Sequence, residues 1–240
     1  MSARIQVVGG GSWGLALARL LALQGHAVRL WCREQDEPEQ LRRSRRSPFY
    51  LRDILTLPDS VEVDAGIDAA ADIAVFAVPS HAMRAAATQH RFEAHTLRVS
   101  VAKGIENDTL LRMSEVLTEA GAGGPVVALS GPTHAEEVAR DQPASLVAAS
   151  AVVAAAERVQ QVFMGPALRV YSSDDLVGVE LGGALKNVIA IAAGVGDGLG
   201  LGENARAALM TRGLAEMTRL GEALGAAALT FAGLSGMGDL

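Results

Sequence analysis

The feature that most restricts the fold of this chain is a glycine turn near its start. The β-branched run Arg4 to Val8 leads into Gly9-Gly10-Gly11-Ser12-Trp13-Gly14, and Leu15 to Gln24 follows with Ala and Leu at helical spacing. Gly9, Gly11 and Gly14 thus form G-x-G-x-x-G between a strand and a helix. In that setting the first glycine permits the tight turn, the second lets a pyrophosphate approach the backbone, and the third lets the helix pack on the strand. The helix N-terminus adds N–H groups and the positive end of its dipole. Gly25 closes the helix and His26 to Cys32 reads as a second strand, completing a βαβ unit of about 30 residues.

Further short apolar strands are predicted over Asp72 to Val78, Leu97 to Ala102, Pro125 to Leu129, Ser145 to Ala149 and Leu168 to Ser172, with a helix over Val152 to Phe163. The first three end in Pro79, Lys103-Gly104 and Ser130-Gly131-Pro132, small and polar residues of the kind that line the crevice outside strand carboxyl ends. From Asp174 the pattern is helical only: Leu176 to Ala193, a glycine-rich turn at Gly194 to Gly202, Ala205 to Leu224, and Leu229 to Leu240. The expected fold is α/β, a Rossmann-like, mainly parallel sheet domain over 1–172 followed by a partial helical domain over 173–240. Glu34 to Ser60, with Arg42, Arg43, Arg45 and Arg46, reads as a solvated helix and loop.

Composition narrows the partners. Half of the 240 residues are hydrophobic and the net charge is -6, so a sizeable core is expected and non-specific nucleic-acid binding is not. Cys32 is the only cysteine, which excludes an internal disulfide or a cysteine metal cage and suits a cytoplasmic protein. No signal peptide precedes the first strand, and Leu176 to Gly196, interrupted by Glu180 and Lys186, reads as a buried helix rather than a membrane insertion. A homo-oligomer is compatible with the sequence, and no metal site is expected.

Of the 21 basic residues, only Lys103 and Lys186 are lysines. In a chain that otherwise uses arginine, a retained lysine points to a role that needs a transferable proton, which guanidinium does not give up. Lys103 follows a strand end. Lys186 lies in an apolar helix on a line with Gly178, Gly182 and Ala190, so it must be paired or open on a cleft. A salt bridge across the domain boundary is the structural alternative for Lys186, and a plain surface cation is the one for Lys103. At the end of the second strand, Arg33 can pair with a 2′-phosphate, admitting NADP, while Glu34 keeps NAD in play. A methyl-donor cofactor is the remaining alternative for the glycine turn.

Together these residues resemble NAD(P)-dependent glycerol-3-phosphate dehydrogenase of the bacterial type. The likeness rests on Gly-Ser-Trp-Gly at 11–14, Val-Pro-Ser-His at 78–81, Ala-Lys-Gly at 102–104, Ser-Gly-Pro-Thr at 130–133, Leu-Lys-Asn-Val-Ile-Ala at 185–190, Asn-Ala-Arg at 204–206, Thr-Arg-Gly-Leu-Ala-Glu-Met at 211–217 and Gly-Asp-Leu at 238–240. It implies that Gly9, Gly11, Ser12, Trp13, Gly14, Arg33, Lys103 and Ala135 bind the dinucleotide, NADP or NAD. Lys103, Gly131, Thr133, Lys186 and Asp239 would face the substrate, dihydroxyacetone phosphate or sn-glycerol 3-phosphate. Lys186 and Lys103 would be catalytic, with Lys186 as proton donor or acceptor.

The family pattern continues beyond Gly-Asp-Leu into helices with an Arg-Asn pair that grips the substrate phosphate, and these residues are not among the 240. The reading therefore leaves open a dinucleotide-binding protein without catalysis. A related β-hydroxyacid dehydrogenase is a further alternative, disfavoured by Ser-Gly-Pro-Thr and Asn-Ala-Arg.

Overall fold

The computed structural model describes residues 2–64, 66–121 and 123–240. Its first elements are β1 (Arg4–Val8), α1 (Ser12–Leu23), β2 (Ala27–Trp31), α2 (Pro38–Ser44), β3 (Glu62–Asp64), β4 (Ile73–Phe76) and α3 (Met83–Gln89). They are followed by β5 (Leu97–Ser100), α4 (Met113–Glu119), β6 (Val126–Ser130), α5 (Ala135–Ala139), β7 (Ala144–Ala149), α6 (Val153–Phe163) and β8 (Leu168–Ser173). Three helices come last: α7 (Leu176–Gly198), α8 (Glu203–Ala223) and α9 (Ala228–Phe231).

Among the described residues eight strands form one sheet, in the order β3-β2-β1-β4-β5-β6-β7-β8. Every neighbouring pair is parallel except β6 with β7. Strands of a sheet covered on both faces are buried on both sides and so read as unbroken apolar runs; all of Ile73–Phe76 is buried. One face carries Val7, Leu30 and Val75 under Leu17 and Leu21 of α1 and Val159 and Phe163 of α6. The other carries Phe76 under Met83 of α3 and Val116 and Leu117 of α4. Each such large side chain contributes roughly 1.5–3 kcal/mol when removed from water.

The chain winds outward from β1 through β2 to β3 and then returns to place β4 on the other side of β1. The strand order therefore reverses between β1 and β4, and an open parallel sheet has its ligand crevice at such a switch point.

Two expected helical spans are corrected. The turn predicted at Gly194 to Gly202 is helical as far as Gly198, so α7 runs through Gly194, Gly196 and Gly198. Glycine costs a helix about 1 kcal/mol per residue; the last turn nonetheless stays helical, with Asp197 pairing with Arg206 of α8 at 3.2 Å. The helix predicted over Leu229 to Leu240 ends at Phe231, and a single 3-10 turn at Met237–Asp239 follows. Gly233, Gly236 and Gly238 break it, and a Cβ on Gly236 would lie 2.1 Å from the Phe231 carbonyl oxygen. The buried-helix reading of Leu176 to Gly196 holds only for its first turns. Gly178, Val179, Leu181, Gly182 and Gly183 are buried, whereas Val188, Ile191 and Val195 are exposed. The span Leu176–Gly198 is long and apolar enough to cross a membrane by length and composition.

Candidate active site

The glycine turn lies at the switch point, between the ends of β1 and β4. Gly9 has φ +121°, and a Cβ there would sit 2.4 Å from the Ala77 carbonyl oxygen. A Cβ on Gly14 would sit 1.9 Å from the Gly9 carbonyl oxygen. Gly11, in contrast, would direct a Cβ into open space, and α1 has no side-chain cap on its first N–H groups. The turn is thus closed against the protein and open on the side where α1 presents unpaired donors, which fits a pyrophosphate.

A cleft of about 670 Å³ opens there. Of the residues expected to bind cofactor, Gly9, Gly11, Ser12, Trp13, Arg33, Lys103 and Ala135 line it. Gly14 lies behind the turn, where its role is close helix packing. Thr133 lines the same cleft, with its hydroxyl donating to the Gly131 carbonyl at 3.2 Å.

Lys103 Nζ donates to the Gly131 carbonyl at 3.0 Å and lies 2.5 Å from Asp239 Oδ2. Lys186 Nζ lies 3.2 Å from the other oxygen, Oδ1. The two lysines of the chain therefore share one carboxylate, itself 5% exposed, next to the dinucleotide cleft. Burial pushes the Lys103 pKa below its ordinary value; Asp239 opposes that shift and the neighbouring Lys186 adds to it. Neither structural alternative is met as stated: Lys186 pairs with a carboxylate of its own helical part and not across the boundary, and Lys103, whose side chain is 24% exposed and which crosses the boundary to the same carboxylate, is not a plain surface cation. The carboxylate they share ties them to the cleft instead of leaving them as separate surface charges.

Small residues on α7 make this meeting possible. A Cβ on Gly182 would fall 2.7 Å from the Ser235 carbonyl oxygen, and one on Gly183 would fall 2.7 Å from Ser130 Oγ and 3.5 Å from Lys103 Cγ. The helix thus sits close enough to the sheet and to the segment bearing Asp239 for Lys186 to reach it. Two polar anchors fix its position. Asp175 caps α7 by accepting from the Gly178 N–H at 2.8 Å, and it also accepts from the Ala227 N–H and the Thr230 hydroxyl. Glu180 accepts from Arg112 at 2.7 Å and from the Ser114 N–H and hydroxyl at 2.7 and 2.6 Å, tying α7 to the start of α4. Burial raises the Glu180 pKa, opposed by these partners.

The sequence reading missed several cleft residues. Trp31, Tyr50, Asp36 and His134 line the cleft, whereas Glu34 is exposed and lies in a separate surface groove. The acid beside Arg33 is therefore Asp36, three residues on, turned back by the 3-10 turn Glu34–Asp36.

A sheet that cradles a dinucleotide, joined to a helix that brings an ammonium to the edge of the cradle, is the plan of the nicotinamide-dependent dehydrogenases. Within that class the chain belongs to the NAD-dependent glycerol-3-phosphate dehydrogenase family: the model of its N-terminal part matches residues 4–156 and that of its C-terminal part residues 175–240. It is 51% identical over 248 residues to glycerol-3-phosphate dehydrogenase [NAD(P)+] 2 of Salinibacter ruber, covering all of this chain and 72% of that one. To glycerol-3-phosphate dehydrogenase [NAD(P)+] of Syntrophotalea carbinolica it is 52% identical over 246 residues, covering 98% and 73%. The crystal structure of glycerol-3-phosphate dehydrogenase from Coxiella burnetii superposes with a TM-score of 0.93 at 36% identity, over all of this chain and 74% of that one.

Proposed function

We propose that this protein is a reversible oxidoreductase that passes a hydride between NAD(P)H and dihydroxyacetone phosphate, giving sn-glycerol 3-phosphate for glycerophospholipid synthesis. The observation that carries the reading is the placement of Lys103 and Lys186 on one carboxylate beside the dinucleotide cleft. When bound, the nicotinamide supplies the hydride. The chain's own groups do the rest. The N–H groups at the start of α1 hold the pyrophosphate, and Arg33 meets the ribose end. Lys186 stabilises negative charge as it develops on the carbonyl oxygen and delivers a proton from Nζ. Lys103, with Gly131 and Thr133, orients the substrate. Asp239 holds both ammonium groups in place.

Residues 1–172 are assigned to the cofactor and 173–240 to the substrate; the end of β8 at Ser173 and the start of the second family match at 175 support that division. A cytoplasmic location fits a water-soluble substrate and cofactor, and assembly with a second copy is compatible with the exposed apolar residues of α7.

The test is NADPH oxidation on adding dihydroxyacetone phosphate, in parallel with calorimetric NADPH binding. Lys186→Ala lowers turnover about 10²- to 10⁴-fold with little change in NADPH affinity, the scale of a positioned proton donor. Lys186→Arg does not rescue it, because guanidinium keeps its proton. Wild-type turnover in the arginine variant removes the proton-transfer role, and NADPH binding without any oxidation makes the protein a binding protein instead.

A further inference from the structure

Arg33 is half exposed in the cleft, yet it is not a free side chain. Its Nε donates to Asp36 Oδ2 at 3.0 Å and its Nη2 to Oδ1 at 2.8 Å, while its own backbone N–H donates to Oδ2 at 3.1 Å. The Asp36 side chain is 6% exposed, so the guanidinium is held along one edge by a buried carboxylate. A guanidinium has five N–H donors in a rigid fork, and this arrangement uses the Nε side and leaves the Nη1 end unclaimed by Asp36. Tyr50, which lines the same cleft, lies against the guanidinium as well.

Two readings of Asp36 compete. An acid near the end of the second strand is the usual acceptor for the ribose 2′-hydroxyl of NAD. Here both carboxylate oxygens are already engaged by Arg33 and the group is buried, which makes it a poor acceptor for a ligand. Asp36 lines the cleft as well, but the side chain exposed to it is the arginine, 53% against 6%. A free arginine must give up rotamer entropy to hold one pose, and a pre-formed fork removes part of that cost before the ligand arrives.

We propose that Asp36 is a positioning residue that fixes Arg33 with one guanidinium end turned to the cleft, and that it thereby sets the preference for a dinucleotide carrying a 2′-phosphate. This rests on reading Arg33 as the group that meets the 2′-phosphate. Asp36 acts only through Arg33 and does not touch the ligand.

The experiment is calorimetric titration of four probes: NADPH, NADH, adenosine 2′,5′-bisphosphate and 5′-AMP. They are titrated into the wild type, Asp36→Ala, Asp36→Asn, Arg33→Ala and the double variant Arg33→Ala/Asp36→Ala. Asp36→Ala weakens NADPH and adenosine 2′,5′-bisphosphate about five- to tenfold, the scale of one pre-organised charged hydrogen bond, and leaves NADH and 5′-AMP within about twofold. In the Arg33→Ala background the second substitution changes none of the four. Equal loss across the probes, further loss on top of Arg33→Ala, or tighter NADPH binding by Asp36→Ala each overturns the proposal. If Asp36→Ala fails to fold, Asp36→Asn decides, since an unchanged ratio of NADPH to NADH affinity in that variant overturns it equally. Arg33→Ala reports on the underlying reading by itself: equal weakening of NADPH and NADH removes Arg33 from 2′-phosphate recognition whatever Asp36 does.

Discussion

The glycine turn and the lysine pair are built by opposite means. At Gly9 and Gly14 the requirement is steric, because the neighbours a side chain would meet are backbone carbonyl oxygens that cannot move aside. At Lys103, Lys186 and Asp239 it is electrostatic, since two ammonium groups are taken partly out of water and share one buried carboxylate. A steric requirement fails all at once. A charge balance degrades by degrees: Asp239 keeps one ammonium when the other is removed, and Lys103 keeps the Gly131 carbonyl when Asp239 is removed. Along α7 the same contrast appears on a larger scale, with buried glycines in its first turns and exposed apolar residues in its later ones.

The largest effect is expected where the backbone leaves no room. Gly14→Ala forces a methyl group toward the Gly9 carbonyl and costs about 3 kcal/mol of folding stability, at the upper end of overpacking penalties, together with NADPH binding. Urea titration and calorimetry check this, and a stable variant with wild-type NADPH affinity would break the steric half of the comparison.

A smaller, graded loss belongs to the charged group. Asp239→Asn removes the carboxylate that raises the Lys103 pKa, leaving burial and Lys186 to lower it further. Turnover falls roughly 10- to 30-fold, the scale of a charged hydrogen bond, and the alkaline limb of the kcat/KM profile moves to lower pH. The sign follows from the direction of the shift: a lysine whose pKa drops loses its proton at lower pH. An alkaline limb that stays put or rises shows that Lys103 is not the group being titrated.

The smallest effect sharpens the contrast within α7. Ile191 is 69% exposed and Val195 57%. Replacing both with Glu changes folding free energy by no more than about 0.5 kcal/mol, as for other surface positions, and leaves NADPH affinity unchanged. A Tm drop comparable to that of Gly14→Ala would mean that this stretch is packed in solution and belongs with the first turns of the helix.

The two parts of the site were not equally legible in the sequence. The glycine turn declares itself because its spacing is the constraint: β1 falls on the expected residues, and α1 starts at Ser12, three residues before the expected Leu15, because the turn itself forms the first helical turn. Lys103 and Lys186 stand out only against a background of arginine; in a chain with ordinary lysine content neither would have drawn notice on composition. Asp36 gave no signal, because its role depends on a 3-10 turn that folds it back onto a residue three positions earlier. Tyr50 lies in the loop after α2, whose path no periodicity encodes. β3 was missed because three residues are too few to show a pattern, and its strand character comes from pairing with β2. The extension of α7 through Gly194, Gly196 and Gly198 runs against local propensity, and the tie visible there, Asp197 to Arg206 of α8, joins residues nine positions apart that no helical period picks out.

The convergence of both lysines on Asp239 gives this protein a built-in spectroscopic address. Among these 240 residues the lysine amines are confined to the cleft and its edge. Reductive methylation with a carbon-13 label would place observable nuclei there, with no other lysine of these 240 residues to obscure them. Cofactor, substrate and pH could then each be followed as changes at two side-chain signals, in a protein that needs no engineered tag to be watched at its centre.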